Sequence, residues 1–261
     1  MGMFVGLSGL AWTPHASAGT YVTAKDITYN TQGQKLDVYR PSTGSSYPIV
    51  IFVHGGGWIE GSKDSMYGHA TYFAANNVVA LSIDYRLAPQ HPFPAAFDDV
   101  RSAVSWARAN ASGLKGDPNK IVLAGYSAGA NLALLAGLHD TVKVRGLVGT
   151  AGPYDLVTLP STNPFMQPNI NQYMAGIYPG YSSPVNLASA GDPTVLLQHG
   201  TTDTTISPSQ STAMAQALAA KQVPYTYKTY AGAGHDVLYP TSASYGTALN
   251  DILAFTKNIT R

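Results

Sequence analysis

Three polar side chains, far apart along the chain, have the types needed for nucleophilic catalysis. Ser127 lies in Gly125-Tyr126-Ser127-Ala128-Gly129, a G-x-S-x-G pattern with the apolar run Ile121-Val122-Leu123-Ala124 before it and an Ala/Leu-rich helical stretch after it. That context predicts a serine on a sharp strand-to-helix turn. Small residues at 125 and 129 let backbones approach closely there, and the hydroxyl projects from the edge of a sheet. A serine hydroxyl is a weak nucleophile at neutral pH: it needs a base within hydrogen-bond reach, and the base needs a carboxylate to hold its tautomer. Asp203 follows the apolar run Thr194 to Gln198, which turns at Gly200. His235 follows Tyr225 to Tyr230 across Ala231-Gly232-Ala233-Gly234. Either residue alone reads equally well as a solvated loop group. Their joint placement, each after its own strand on one edge of one sheet, makes Ser127, His235 and Asp203 a candidate unit for acyl transfer through a covalent intermediate.

A fourth feature is Ile51-Phe52-Val53-His54-Gly55-Gly56-Gly57-Trp58. Three glycines after a strand let main-chain N–H groups turn inward without Cβ clashes, and such donors stabilise the negative oxygen of a tetrahedral intermediate. His54 is expected to hydrogen-bond that loop rather than act as a base. Trp58 and Tyr126, beside the glycine triplet and the serine, are expected to contact substrate. His15, His69, His91 and His139 have no partner at ligand spacing, so solvated or core roles are expected and no metal site is assigned. His199 is expected to pack at a strand end.

These residues need a frame that brings strand ends together. Tyr21 to Tyr29 and Lys35 to Tyr39, separated by Asn30-Thr31-Gln32-Gly33, read as a hairpin. Beyond Pro41 the pattern changes to short apolar runs alternating with helical stretches, which predicts parallel strands buried on both faces. The runs are 49–53, 78–83, 121–124, 144–148, 195–198 and 225–230. The helical stretches are 67–76, 97–110, 128–138, 208–221 and 244–258. Phe97, Val100 and Val104 fall on one stripe of the second of these, and Asp98 and Asp99 complement its dipole. The expected architecture is one α/β domain, residues 19–261, with an open, mostly parallel sheet and helices on both faces. The stretch 153–192, rich in proline and tyrosine and without a long regular period, is expected to be a small cap-like insertion.

The composition of the 261 residues bounds the alternatives. Only 11% are charged, against about 25% in an average chain, and Lys+Arg 15 against Asp+Glu 14 leaves +1 with no basic run. That leaves no electrostatic footprint for nucleic acid or an anionic membrane. The absence of Cys removes disulfides, thiolate nucleophiles and Cys-based metal sites. No apolar run reaches the roughly 20 residues that span a bilayer. Residues 1–18, with an apolar stretch ending in Ala16-Ser17-Ala18, read as a secretory signal remnant without a basic start, giving a secreted or periplasmic protein and otherwise a cytoplasmic one. No G-x-G-x-x-G opens a helix after a strand, and no cofactor is expected.

Together these segments resemble an α/β-hydrolase of the hormone-sensitive-lipase-like carboxylesterase group, in its HGGGW, feruloyl/acetyl-xylan esterase-like branch. The matching segments are His54 to Trp58, Asp84-Tyr85-Arg86-Leu87-Ala88-Pro89 running on to Ala95, Gly125 to Gly129, His199 to Asp203, and Gly232 to His235. Departures are Gln90 where a Glu is usual, Tyr126 for the frequent acid before the serine, and Ala130 for a common Gly. The resemblance implies Ser127 as nucleophile, His235 as general base and then acid, Asp203 as its orienting carboxylate, and the N–H groups of Gly56, Gly57 and Ala128 as oxyanion donors. Asp84 and Arg86 would hold the fold near the site. The implied activity is serine esterase action on small short-acyl or aryl esters. Alternatives within the same fold are an amidase or arylformamidase, and a binding protein without turnover; a carboxylate nucleophile, as in dehalogenases and epoxide hydrolases, is disfavoured by Ser127.

Overall fold

Strands buried on both faces read as unbroken apolar runs, and these runs form the centre of one eight-stranded sheet in a computed structural model, which describes residues 20–139 and 142–261. The segment 1–18 read as a leader, and His15 within it, lie outside the described residues. β1 (Tyr21–Thr28) and β2 (Lys35–Pro41) form the expected antiparallel hairpin. β3 (Tyr47–Val53), β4 (Val79–Ile83), β5 (Gly116–Tyr126), β6 (Gly146–Thr150), β7 (Thr194–Gly200) and β8 (Tyr225–Tyr230) pair in parallel, and β2 pairs antiparallel with β4. The spatial order is β1-β2-β4-β3-β5-β6-β7-β8. This is the sheet of an α/β-hydrolase.

Successive side chains of a strand point to opposite faces, so each central strand feeds two cores. Ile49, Ile51 and Val53 of β3 join one, packed with α2 (Ala95–Asn110), α3 (Ala128–Gly137) and α6 (Ser209–Ala220). Val50 and Phe52 join the other, packed with α1 (Tyr67–Ala75) and α7 (Tyr245–Ile259). In α2 the expected stripe of Phe97, Val100, Ala103, Val104 and Ala107 is buried. No helix among the described residues is long and apolar enough to cross a membrane.

The stretch 153–192 is more regular than its sequence suggested. It folds into α4 (Leu159–Thr162), α5 (Gln167–Met174) and single helical turns at Pro164–Met166, Pro179–Ser182 and Pro184–Asn186. Proline lacks an N–H but is pre-set for a helix's first turn, so here the prolines start turns instead of breaking them. The stretch is tied to the main helices. Asn131 Nδ2 in α3 donates to the carbonyls of Pro153 (3.0 Å) and Ser182 (2.8 Å), and Gln210 Oε1 in α6 accepts from the N–H groups of Tyr154 (2.8 Å) and Asp155 (2.7 Å).

Candidate active site

β3 is where sheet growth reverses, with β4 on one side and β5 on the other. In such folds the crevice at the carboxyl ends of those strands is the natural site. Val53, the last residue of β3, pairs with Gly125 of β5, so the loops after the two strands leave side by side. A Cβ at Gly125 would overlap the backbone of Gly129, and one at Gly129 the carbonyls of Val53 and His54. The turn can be this tight only with glycine at both positions. Between them Ser127 sits at φ +54°, ψ −123°, a conformation that costs an ordinary residue roughly 1–3 kcal/mol. It is held there by its N–H donating to Thr150 O (2.9 Å) and by its carbonyl accepting from the N–H groups of Ala130 (2.9 Å) and Asn131 (3.2 Å).

The other two side chains reach it from the far strands of the same edge. His235 Nε2 lies 3.0 Å from Ser127 Oγ, and His235 Nδ1 lies 2.8 Å from Asp203 Oδ2. The partners are 108 and 32 residues apart in sequence. Asp203 is buried, and its Oδ1 accepts from the N–H groups of Thr205 and Ile206, each at 2.9 Å. Burial alone would raise its pKa. Hydrogen bonds from His199 and His235, the nearby His235 ring and the Ile206 N–H outweigh that and hold the carboxyl well below the usual carboxylate range.

The glycine triplet closes the site. A Cβ at Gly55 would lie 3.1 Å from Ser127 Cβ, so the loop runs against Ser127. Gly56, at φ +114°, turns back on itself, its carbonyl accepting from the N–H groups of Ile59 and Glu60, both at 3.1 Å. None of the N–H groups of Gly56, Gly57 and Ala128 donates to another group among the described residues. His54 anchors the loop as expected: its ring stacks on Tyr85 (4.2 Å between centroids, 13° between planes), Tyr85 Oη donates to the His54 carbonyl (3.1 Å), and His54 Nδ1 lies 2.6 Å from Gly55 O. Burial pushes its ring down to about 4, which keeps it neutral at pH 7. The Asp84–Arg86 segment supports the loop from behind: Asp84 Oδ1 accepts from Lys63 N (2.8 Å), and Arg86 pairs with buried Asp99 (2.9 Å). A cleft of about 310 Å³ opens beside the triplet, lined by Gly55, Gly56, Glu60, Met66, Tyr126 and Tyr239 among others. A larger hollow of about 600 Å³ lies at the opposite edge, near the starts of β6 and β7, and contains none of these groups.

The family model BD-FAE matches residues 36–218, a span that includes the glycine triplet, Ser127 and Asp203. The chain belongs to the BD-FAE family. Among curated relatives it is 33% identical to Esterase LipC of Mycobacterium tuberculosis, over 89% of this chain and 66% of that protein. It is 40% identical to Carboxylesterase NlhH of the same species, over 47% of this chain and 37% of that protein. The chain thus spans less than two thirds of the length of these relatives. Among solved structures, a Pyrobaculum calidifontis esterase superposes with a TM-score of 0.82 at 26% identity, over 93% of this chain and 87% of that one. EstE1, a thermostable carboxylesterase cloned from a metagenomic library, superposes at 0.84 with 24% identity over 92% and 90%, a likeness of fold.

Within this BD-FAE chain, one expected substrate contact is corrected. Trp58 is fully buried; its ring stacks on Tyr173 of α5 (4.8 Å, 6°) and its Nε1 donates to Asn131 Oδ1 (3.3 Å). Left-handed backbone at Trp58, φ +66°, turns the indole away from the mouth of the site and under the insertion. Tyr126 lines the cleft, its ring 5.2 Å from that of His235 and its Oη donating to the His235 carbonyl (2.5 Å). Two residues escaped the sequence reading. His199 is a strand-end residue as expected, but its Nε2 lies 3.1 Å from Asp203 Oδ2. Lys63 is almost buried, its Nζ 2.9 Å from Asp26 of β1 and 3.1 Å from Asp37 of β2. The signal for His199 was its place four residues before Asp203 around a glycine turn; for Lys63 there was none.

Proposed function

We propose that this chain is a serine carboxylesterase acting on small short-acyl or aryl esters. The observation that carries the reading is the unbroken chain of contacts Ser127 Oγ, His235, Asp203, with 3.0 and 2.8 Å between successive partners. Ser127 Oγ attacks the ester carbonyl carbon and its proton passes to His235 Nε2. The resulting oxyanion takes hydrogen bonds from the N–H groups of Gly56, Gly57 and Ala128, each such donor being worth about 2.7–4 kcal/mol of barrier. The tetrahedral intermediate collapses by breaking the carbon–oxygen bond to the alcohol, which leaves with the proton from His235. Water then adds to the acyl-enzyme, giving its proton to the same nitrogen, and the acid is released.

Support for a small substrate comes from the modest cleft of about 310 Å³ beside the glycine triplet. An aryl group is supported by the aromatic character of the insertion, where Phe165, Tyr178 and Tyr181 are exposed. The names of the relatives, an esterase and a carboxylesterase, point to the same reaction class. Export of the protein rests on the sequence of residues 1–18. Ser127→Ala should lower p-nitrophenyl acetate hydrolysis by at least about 10⁴-fold with the circular dichroism spectrum unchanged, and retained turnover in that variant overturns the assignment. With wild type, a matched ester should exceed its anilide in kcat/KM; the reverse order would make the chain an amidase.

A further inference from the structure

Asp203 Oδ2 carries two imidazoles. His235 Nδ1 approaches it at 2.8 Å from the loop after β8, and His199 Nε2 at 3.1 Å from the end of β7. His199 has no exposed surface, and each of its nitrogens is engaged: Nε2 also lies 2.8 Å from Ile206 O, and Nδ1 lies 2.7 Å from Ser211 Oγ in α6. With two oxygens facing it in a buried place, Nε2 must carry a hydrogen whatever the state of Nδ1. Nothing in the proposed reaction requires this second ring, since His235 alone meets Ser127.

We infer that His199 is a positioning residue for the Ser127–His235 pair, acting through the carboxylate oxygen that both imidazoles share; the inference rests on the esterase reading above. A carboxylate offers about four acceptor directions. On Asp203 they are filled by the N–H groups of Thr205 and Ile206 at Oδ1 and by the two imidazoles at Oδ2. Four donors fix the plane of the carboxylate, and that plane fixes the ring of His235. The donation from His199 also draws charge from Oδ2, so the oxygen keeps less hold on the imidazolium that forms at His235 during turnover. Without it, Asp203 protonates at higher pH and grips that imidazolium more firmly, and both changes push the loss of activity on acidification to higher pH. The other titratable groups facing the pair are Tyr126 of β5 and Asp236 beside His235, with Tyr154 and Tyr227 next to Ser211. The tyrosines are pushed up by burial, so none of them titrates on the acid side.

The test compares the pH dependence of kcat/KM for phenyl acetate from pH 4 to 9, followed by chromatography, in wild type, His199→Leu, His199→Gln and Ser211→Ala. His199→Leu removes the donor, and its acid limb should move up by about one pH unit. His199→Gln keeps an N–H at the same reach and should restore most of the wild-type position. Ser211→Ala, which frees the far nitrogen of His199, should move the limb a shorter way in the same direction. A ring that served packing alone would lower the melting temperature and leave the limb in place. A His199→Leu profile superimposed on wild type, or a His199→Gln profile displaced as far as Leu, overturns the inference. If His199→Leu does not fold, Ser211→Ala decides: a displaced limb supports the inference and a superimposed one defeats it. Failure of the esterase reading is separate, appearing as hydrolysis that survives Ser127→Ala.

Discussion

Asp203 is the residue on which most of the site's geometry converges. Replacing it with Asn keeps its shape and both backbone donors to Oδ1, yet an amide nitrogen at the Oδ2 position meets two imidazole N–H groups with no lone pair to offer. His235 must then flip its tautomer and present a hydrogen to Ser127 instead of a lone pair. Asp203→Asn should therefore lower kcat by about 10⁴-fold at pH 7 with KM little changed. A loss below ten-fold in steady-state assays would show that the carboxylate does not orient the base. The convergence of Ser127, Asp203 and His235 was legible in the sequence because each lies in or just after a glycine-marked turn that ends a strand, although the strand before His235 is largely exposed Tyr, Thr and Lys. What a side chain meets across strands was not. His199 read as packing because its partners, Asp203 and Ser211, are fixed by a turn and by α6. Trp58 read as a substrate contact because adjacency to Gly57 says nothing of the left-handed backbone that points the indole inward.

Strands and helices of the central sheet were legible for a simple reason: strands covered on both faces have no polar alternation to confuse, and the runs between them are long enough for helical period to emerge. The short helices of 153–192 were hidden, since four to eight residues barely complete a period and proline normally signals a break. Also hidden was what docks the β1–β2 hairpin onto the sheet. Lys63, in the helical turn before α1, places Nζ between Asp26 of β1 and Asp37 of β2, with Asp64 at 3.6 Å. Burial works against its charge, but the carboxylates win and hold the ammonium well above its usual range. Asp37 has no exposed surface and among the described residues keeps otherwise only the N–H of Asp26 (3.0 Å), the hydroxyl of Tyr39 (3.2 Å) and a distant Lys25 (3.8 Å). Lys63→Met leaves that carboxylate buried and undercompensated, a defect that costs about 3–5 kcal/mol. The urea midpoint should fall accordingly, while kcat/KM of the folded variant stays within ten-fold of wild type because Ser127, Asp203 and His235 follow β5, β7 and β8, across β3 from the β1–β2 hairpin. An unchanged midpoint would mean the cluster contributes nothing to docking the hairpin.

Over the whole molecule, the scarcity of charge makes two buried histidines the main levers of pH-dependent stability. His54 and His69 are both buried, and burial pushes each ring down to about 4 from an ordinary 6.5. Geometry agrees: His54 Nδ1 faces Gly55 O and His69 Nε2 faces Leu238 O at 3.0 Å, while the second nitrogen of each ring is buried without an acceptor among the described residues. A second proton would thus be a charged donor with nowhere to point. The unfolded chain, with ordinary imidazoles, takes up protons first, so stability is fully present above about pH 6.5 and is lost as pH falls toward about 4. Asp203, whose carboxyl is held low in the fold, adds its own loss only below the ordinary carboxylate range near 3.8, beneath that window. The two rings together should withdraw several kcal/mol between pH 7 and 4.5. Urea unfolding at the two pH values measures it, and His69→Phe should reduce the difference by roughly half, since it removes one of two similar terms. With Asp+Glu only 14 in 261 residues, few other groups can imitate this dependence; a midpoint that does not move over that range would mean that both rings accept the proton in place.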